Sequence, residues 1–392
     1  MLPLNQPIYT MKKYLILLVA FVCFSFVNAQ TKIEKLASKK LNETRDIQLY
    51  IPEGYSEDRV YPIIVVLDAH YLFESVVANT RYYSYWDEMP ECIVVGVNQY
   101  EKEDREKDVA FADASGLPEE KGAKFFEFIG MELIPFVEKN YNTANFKMIV
   151  GHDLTANFAN YYLFKEVPLF DAYINLSPYF APKMEDRIAK RLEEFETKKF
   201  YYLATAEEDT KKAAKRIRAL NTQLAALKNE NIFYYYDDFT EANHNSLAVQ
   251  AIPRAMSQIF SMYRPISVKE YKEKIVTLKT SPYLYLTDKY ETIKNLFGFE
   301  KRVSVNDFMA IYSAVRKTEN IEDLKLLAKL GKKEYPDTAL FHFFMGEYHE
   351  KEGKPKKALR MYQNGFSMNS IDFITKDLML DKADKLKQDF GW

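Results

Sequence analysis

Seven short, nearly unbroken apolar runs alternate with amphipathic helical patterns between Lys32 and about Arg264, and nothing else in the chain restricts its fold as much. The runs are DIQLYI (46–51), PIIVVLD (62–68), CIVVGVN (92–98), FKMIVG (146–151), DAYINLS (171–177), KFYYLATA (199–206) and NIFYYYD (231–237). Continuous apolar runs of this length suit strands buried on both faces, as in a parallel sheet covered by helices. Between them, FFEFIGMELIPFVEKNY places Phe125, Phe128, Leu133 and Phe136 near one face. A long pattern from Thr210 turns Ile217, Leu220, Leu224 and Leu227 inward. The alternation predicts a three-layer α/β domain with a mainly parallel sheet over residues 30–264.

The pattern changes after Pro265, where helical periodicity takes over: a helical connector over 265–304, then a small all-α unit over 305–392. Gly331 and Gly365 are 34 residues apart, as are Phe308 and His342, and Tyr312 and Gly346. The second copy, ALFHFFMGEYHEKEGKPKKALRMYQNGFSMNS, resembles a tetratricopeptide repeat, with small Gly346 in one helix and Ala358, Tyr362 and Gly365 in the next. Two repeats are too few to stack alone. The tail from Asp372, with Leu378, Leu380 and Leu386, is expected to cap them, and the unit to lean on the α/β domain.

The first 29 residues read as a signal peptide starting at Met11. Lys12 and Lys13 precede the apolar YLILLVAFVCFSF, and Val27-Asn28-Ala29 offers a cleavage site. The chain is therefore expected to be exported, to the periplasm or beyond, with no transmembrane segment, since the apolar stretch is short of a span. Cys23 lies in the signal, so Cys92 alone remains and forms no intramolecular disulfide. A net charge of −2 gives no electrostatic reason to expect nucleic acid. The sequence has no HExxH, paired cysteines or clustered histidines, and its 12 glycines form no dinucleotide or P-loop pattern; no metal or cofactor is expected.

The stretch GHDLTA, Gly151 to Ala156, follows an apolar run and precedes a helical pattern. This is the setting of a nucleophile elbow, a tight strand-to-helix turn that lifts one side chain above the sheet and aims backbone N–H groups at an oxyanion. The central residue here is Asp153, and Thr155 stands where a glycine is usual. Aspartate tolerates the strained backbone of such a turn better than most residues.

From Lys124 through His244 the sequence resembles the esterase D-like branch of the α/β-hydrolases. FFEFIGMELIPFVEKNYNT, the elbow and VPLFDAYINLSP occur in that family's order and spacing, and YPIIVVLDAHYLF is similar to its first core strand. The likeness covers residues 40–262 and implies esterase or thioesterase ancestry, with an ester-like small molecule as ligand. It places the family's serine on Asp153 and its catalytic histidine on His244 in EANHNS. The acid falls in the loop after KFYYLATA, on Glu208 first and Asp209 second. Ala69, His70, Leu154 and Ser177 would line the pocket and oxyanion site, His70 from a loop. His152 is expected to pack and hydrogen-bond.

Three readings of Asp153 follow. In the first, the chain is a hydrolase homologue impaired in ester hydrolysis that binds a ligand, or a protein partner through its helical unit; Asp153 pairs with His244 and removes its base character. In the second, Asp153 is itself a nucleophile and His244 activates water. That chemistry is found in a branch of the fold carrying a cap domain, for which Tyr179 to Lys198 is too short. In the third, residual acyl hydrolysis runs through another residue. Whether the chain is an enzyme is left open by its sequence.

Overall fold

The computed structural model describes residues 31–99, 102–318 and 320–392; the segment read as a signal peptide lies outside them. Eight strands form one sheet: β1 (Thr31–Ser38), β2 (Glu43–Tyr50), β3 (Tyr61–Val66), β4 (Ile93–Val97), β5 (Thr143–His152), β6 (Ala172–Leu176), β7 (Lys199–Glu208) and β8 (Ile232–Asn243). Their order is β1-β2-β4-β3-β5-β6-β7-β8. β1 and β2 join antiparallel at one edge, and every pair from β4 to β8 is parallel.

Alternating residues of the apolar runs serve two different cores, which is why the runs are unbroken. Ile63, Val65 and Leu67 face one side of the sheet with Phe125, Phe128 and Leu133; Ile64 and Val66 face the other with Leu72, Phe73 and Ile252. Burying both faces removes the selection for polar residues at every second position. β1, at one sheet edge, carries no such run because most of its residues are exposed or half-buried, Ile33 being 60% exposed. Its turn into β2 is tied down by Glu132, which accepts from Ser38 Oγ and from the Lys39 and Lys40 amides.

Residues 282–297, within the stretch read as a connector, form a helix shared between two cores. Phe297 packs among Phe146, Phe200 and Phe260 of the α/β core, edge-on to the first and stacked on the other two, at centroid distances of 5.1, 6.1 and 5.3 Å. Leu286 of the same helix belongs to the helical core instead. Five helices follow, Val305–Thr318, Ile321–Glu334, Leu340–Lys351, Pro355–Phe366 and Lys376–Phe390, with no further strand among the described residues. Gly346 is small for a reason: a Cβ there would lie 2.3 Å from the Tyr362 ring. In the last helix Met379, Ala383 and Leu386 are buried, whereas Leu380, expected in the cap, is 43% exposed. No helix among the described residues is long and apolar enough to cross a membrane.

Candidate functional site

Three residues with positive φ end three neighbouring strands at their carboxyl edge. Asp68 (φ 51°) follows β3, Asp153 (φ 57°) follows β5 and Ser177 (φ 42°) follows β6. Strained backbone gathered at one place is characteristic of sites whose side chains must be presented at a set angle. Asp153, at φ 57° and ψ −117°, directly precedes the helix Leu154–Ala159. Its amide donates to the Leu176 carbonyl at 2.9 Å, and its own carbonyl accepts from Tyr179 and Asn157 at 3.1 and 3.2 Å. The turn is too tight for a side chain at Gly151, whose Cβ would lie 2.6 Å from the Thr155 backbone.

Asp209 and His244 come together from the ends of β7 and β8. His244 Nδ1–H donates to Asp209 Oδ1 at 2.7 Å, leaving Nε2 as the nitrogen for the cavity. The buried Asp209 carboxylate also accepts through Oδ2 from Ser177 Oγ at 2.5 Å, Thr205 Oγ1 at 2.8 Å and the Ala206 amide at 3.1 Å. Burial alone would raise its pKa; the bonds from His244, Ser177, Ala206 and Thr205 outweigh it and bring it down to about 2. In turn the Asp209 bond raises His244 above its ordinary value, against the opposing effect of burial. The carboxylate that pairs with His244 is therefore Asp209, not the Glu208 preferred from the sequence. Glu208 is exposed on the last residue of β7, while Asp209 turns inward one residue later.

Asp153 does not hydrogen-bond His244. Its Oδ2 accepts from Arg105 Nη1 at 3.3 Å, so the ion pair expected with the histidine is made with an arginine. Arg105, on the helix Lys102–Asp108, is itself clamped by Asp68, with Nε to Oδ1 at 2.7 Å and Nη2 to Oδ2 at 2.9 Å. Asp68 has no exposed surface and takes a further bond from Thr155 Oγ1 at 2.8 Å. Burial disfavours the guanidinium charge, but the Asp68 pair more than restores it and raises Arg105 above its ordinary range.

His152 sits between the two groups. Its Nε2–H donates to the His244 carbonyl at 3.0 Å, which leaves Nδ1 as an acceptor 2.9 Å from the Tyr71 hydroxyl. Tyr71 also lies 3.0 Å from Asp68 Oδ2, so its one proton is shared between two acceptors. Burial first, then the neighbouring His244, lowers His152 to about 4 and keeps it neutral at pH 7. His70 is not in a loop, as expected from the sequence, but follows Ala69 in opening the helix Ala69–Tyr85. Ala69 is buried and His70 exposed. Leu154 opens the helix after the elbow, and Ser177 is committed to Asp209.

Tyr71, Arg105, His152, Asp153, His244 and Asn245 line one cavity of about 350 Å³. Sequence reasoning missed Asp68, Tyr71 and Arg105. Arg105 stands in the charged run EKEDREKD and is one of 54 basic residues, so no pattern distinguishes it. Among the described residues no group of three or more His, Cys, Asp or Glu is arranged to hold a metal ion.

A mostly parallel sheet in this strand order, with an elbow after β5 and a histidine after β8, defines an α/β-hydrolase-like fold. The chain belongs to the family described as "Putative esterase", whose model matches residues 38–250, just over half of its length. An uncharacterised protein from Capnocytophaga ochracea DSM 7271 is 36% identical, with a TM-score of 0.83 over 92% of this chain and 100% of that one. A match of that extent takes in the helical region as well. An IroE-like serine hydrolase from Shewanella oneidensis shares the fold at 20% identity, with a TM-score of 0.58 over 77% of this chain and 99% of that one. The uncharacterised protein YjcH of Bacillus subtilis (strain 168) is 28% identical over 160 residues, which span 39% of this chain and 63% of that relative's length.

Proposed function

We propose that this is an exported member of the esterase family impaired in ester hydrolysis, which uses the retained cavity to bind an ester-like small molecule and the tetratricopeptide-like helical unit to engage a protein partner. The observation that carries this reading is the Arg105–Asp153 contact at the tip of the elbow. Serine chemistry needs a hydroxyl whose proton the histidine removes, and Asp153 supplies none. A carboxylate attacking an ester would have to form an anhydride while expelling an alkoxide. A guanidinium on one of its oxygens withdraws charge and weakens the attack further.

The test is turnover of short-chain p-nitrophenyl esters by the purified mature chain. The expected rate equals the uncatalysed background. Robust hydrolysis abolished by Asp153→Ala would overturn the reading. Asp153→Ser places an alcohol in the same cavity as the His244–Asp209 pair, with the Leu154 N–H at the adjoining helix start, and is expected to bring weak activity.

One observation favours a second reading: His244, oriented by Asp209, shares its cavity with Asp153. An aspartate nucleophile would displace a leaving group at saturated carbon to form an alkyl ester, and water deprotonated by His244 would hydrolyse that ester, releasing the alcohol and restoring the carboxylate. Against it, the segment between β6 and β7 is taken up by the helix Met184–Glu193, whose Met184, Ile188 and Leu192 are buried in the core, and forms no cap. Mass-spectrometric trapping of an ester on Asp153 with an alkylating substrate would promote this reading over the first.

A further inference from the structure

Arg105 is held more firmly than it holds. Two bonds fix it to Asp68 at 2.7 and 2.9 Å and a third to the His152 carbonyl at 3.1 Å, whereas Nη1 reaches Asp153 at 3.3 Å. Asp68 is fixed in turn by Thr155, whose hydroxyl occupies the place of the family's second elbow glycine and also accepts from the His152 amide at 2.9 Å. A guanidinium presents its donors in a rigid fork, so two arms locked on one carboxylate set the direction of the third.

We propose that Arg105 is a positioning residue for the elbow carboxylate: it takes Asp153 Oδ2, keeps that side chain on the Asp68 side of the cavity, and leaves His244 paired with Asp209 alone. The cavity then presents Asp153 Oδ1 and His244 Nε2 as two separate polar groups, instead of a pair that neutralises itself. Thr155, Asp68, Arg105 and Asp153 form one chain of contacts, so the aspartate at the elbow comes with a set of residues that accommodates its charge. The inference concerns geometry and stands whether or not ester hydrolysis is lost.

The charged and titratable groups facing His244 are Asp209 at its Nδ1, the His152 ring at 4.5 Å, and Asp153, Arg105 and Tyr71 across the cavity. An NMR titration of the His244 ring, assigned with His244→Gln, reads the arrangement in the intact chain. Arg105→Lys keeps the positive charge on Asp68, but one ammonium lacks the second arm needed for Asp153. The released carboxylate should turn to His244 and raise its pKa by about half a unit or more, in the manner of an opposite charge brought within a few ångströms. In an Asp153→Asn background the same Arg105→Lys change should leave His244 where it was. Asp153→Asn alone should lower His244 by less than about half a unit, because the parked carboxylate acts on it only from a distance. An unmoved His244 in Arg105→Lys, or a rise that persists without Asp153, overturns the proposal. Should Arg105→Lys fail to fold, the Asp153→Asn comparison decides alone: a fall of about a unit or more would mean that Asp153 already pairs with His244.

Discussion

The two walls of the cavity are built from the same strand ends and carry opposite chemistry. On one wall Asp209 orients His244 as a general base would be oriented, with every oxygen of the acid bonded. On the other, the elbow keeps its strained backbone but carries a carboxylate held by Arg105, and Arg105 is held by buried Asp68. Elbow geometry and elbow chemistry are therefore separable. The turn depends on Gly151 and on the sheet register, while the reaction depends on one side chain at its tip.

The largest expected effect falls on the arginine wall. Arg105→Ala leaves the Asp68 carboxylate buried without a counter-charge, and denaturant unfolding should show a loss of about 3–5 kcal/mol. A loss under about 1 kcal/mol would mean that this wall is no firmer than a surface ion pair.

Next comes the histidine that joins the walls. The folded pKa of His152, about 4, lies below its ordinary 6.5, so the unfolded chain takes up this proton first. Stability is intact above 6.5 and drains as pH falls towards 4, by about 2–3 kcal/mol. Unfolding midpoints at pH 7 and pH 4, compared with those of His152→Gln, check it; equal pH slopes would refute it.

The hydrolase-like wall should respond less and in a different pH range. Asp209→Asn should cost about 2 kcal/mol, the scale of a hydrogen bond to a charged group. The His244 share of the pairing is present below pH 6.5 and lost as pH rises through its raised folded value. The Asp209 share is present above 3.8 and lost as pH falls towards 2. The substitution should therefore cost more at pH 6 than at pH 9, and an equal cost at both would unlink the two residues.

The smallest effect tests the chain of contacts behind the elbow. Thr155→Val keeps the shape but removes a donor to Asp68 and an acceptor for the His152 amide, for about 1 kcal/mol by thermal or denaturant unfolding. A neutral outcome would detach Thr155 from the arginine wall.

Much of the fold was legible because burial on both faces of a parallel sheet writes long apolar runs, and those runs became β2 to β8. β1 was not legible, since most of its residues are exposed or half-buried and need no such run; β8, the opposite edge, keeps one because Phe233 and Tyr235 pack on one core and Tyr234 and Tyr236 on the other. The elbow was legible as glycine, strand and helix in sequence, and His244 by its place after the last strand. The acid was misjudged by one residue because Glu207, Glu208 and Asp209 are alike in charge, and only the twist at the end of β7 decides which points inward.

The parallel strands, the elbow and the absence of a serine at its tip follow from residue order alone, because all three rest on local pattern and side-chain identity. The partner of Asp153 is set by packing between distant segments. Arg105 lies 48 residues from Asp153 and 37 from Asp68. No periodicity links such positions; they meet because β3 and β5 are neighbours in the sheet and the helix carrying Arg105 crosses their ends. Coulomb interactions act through space, so the partner of a charge is set by the packing that brings two elements together.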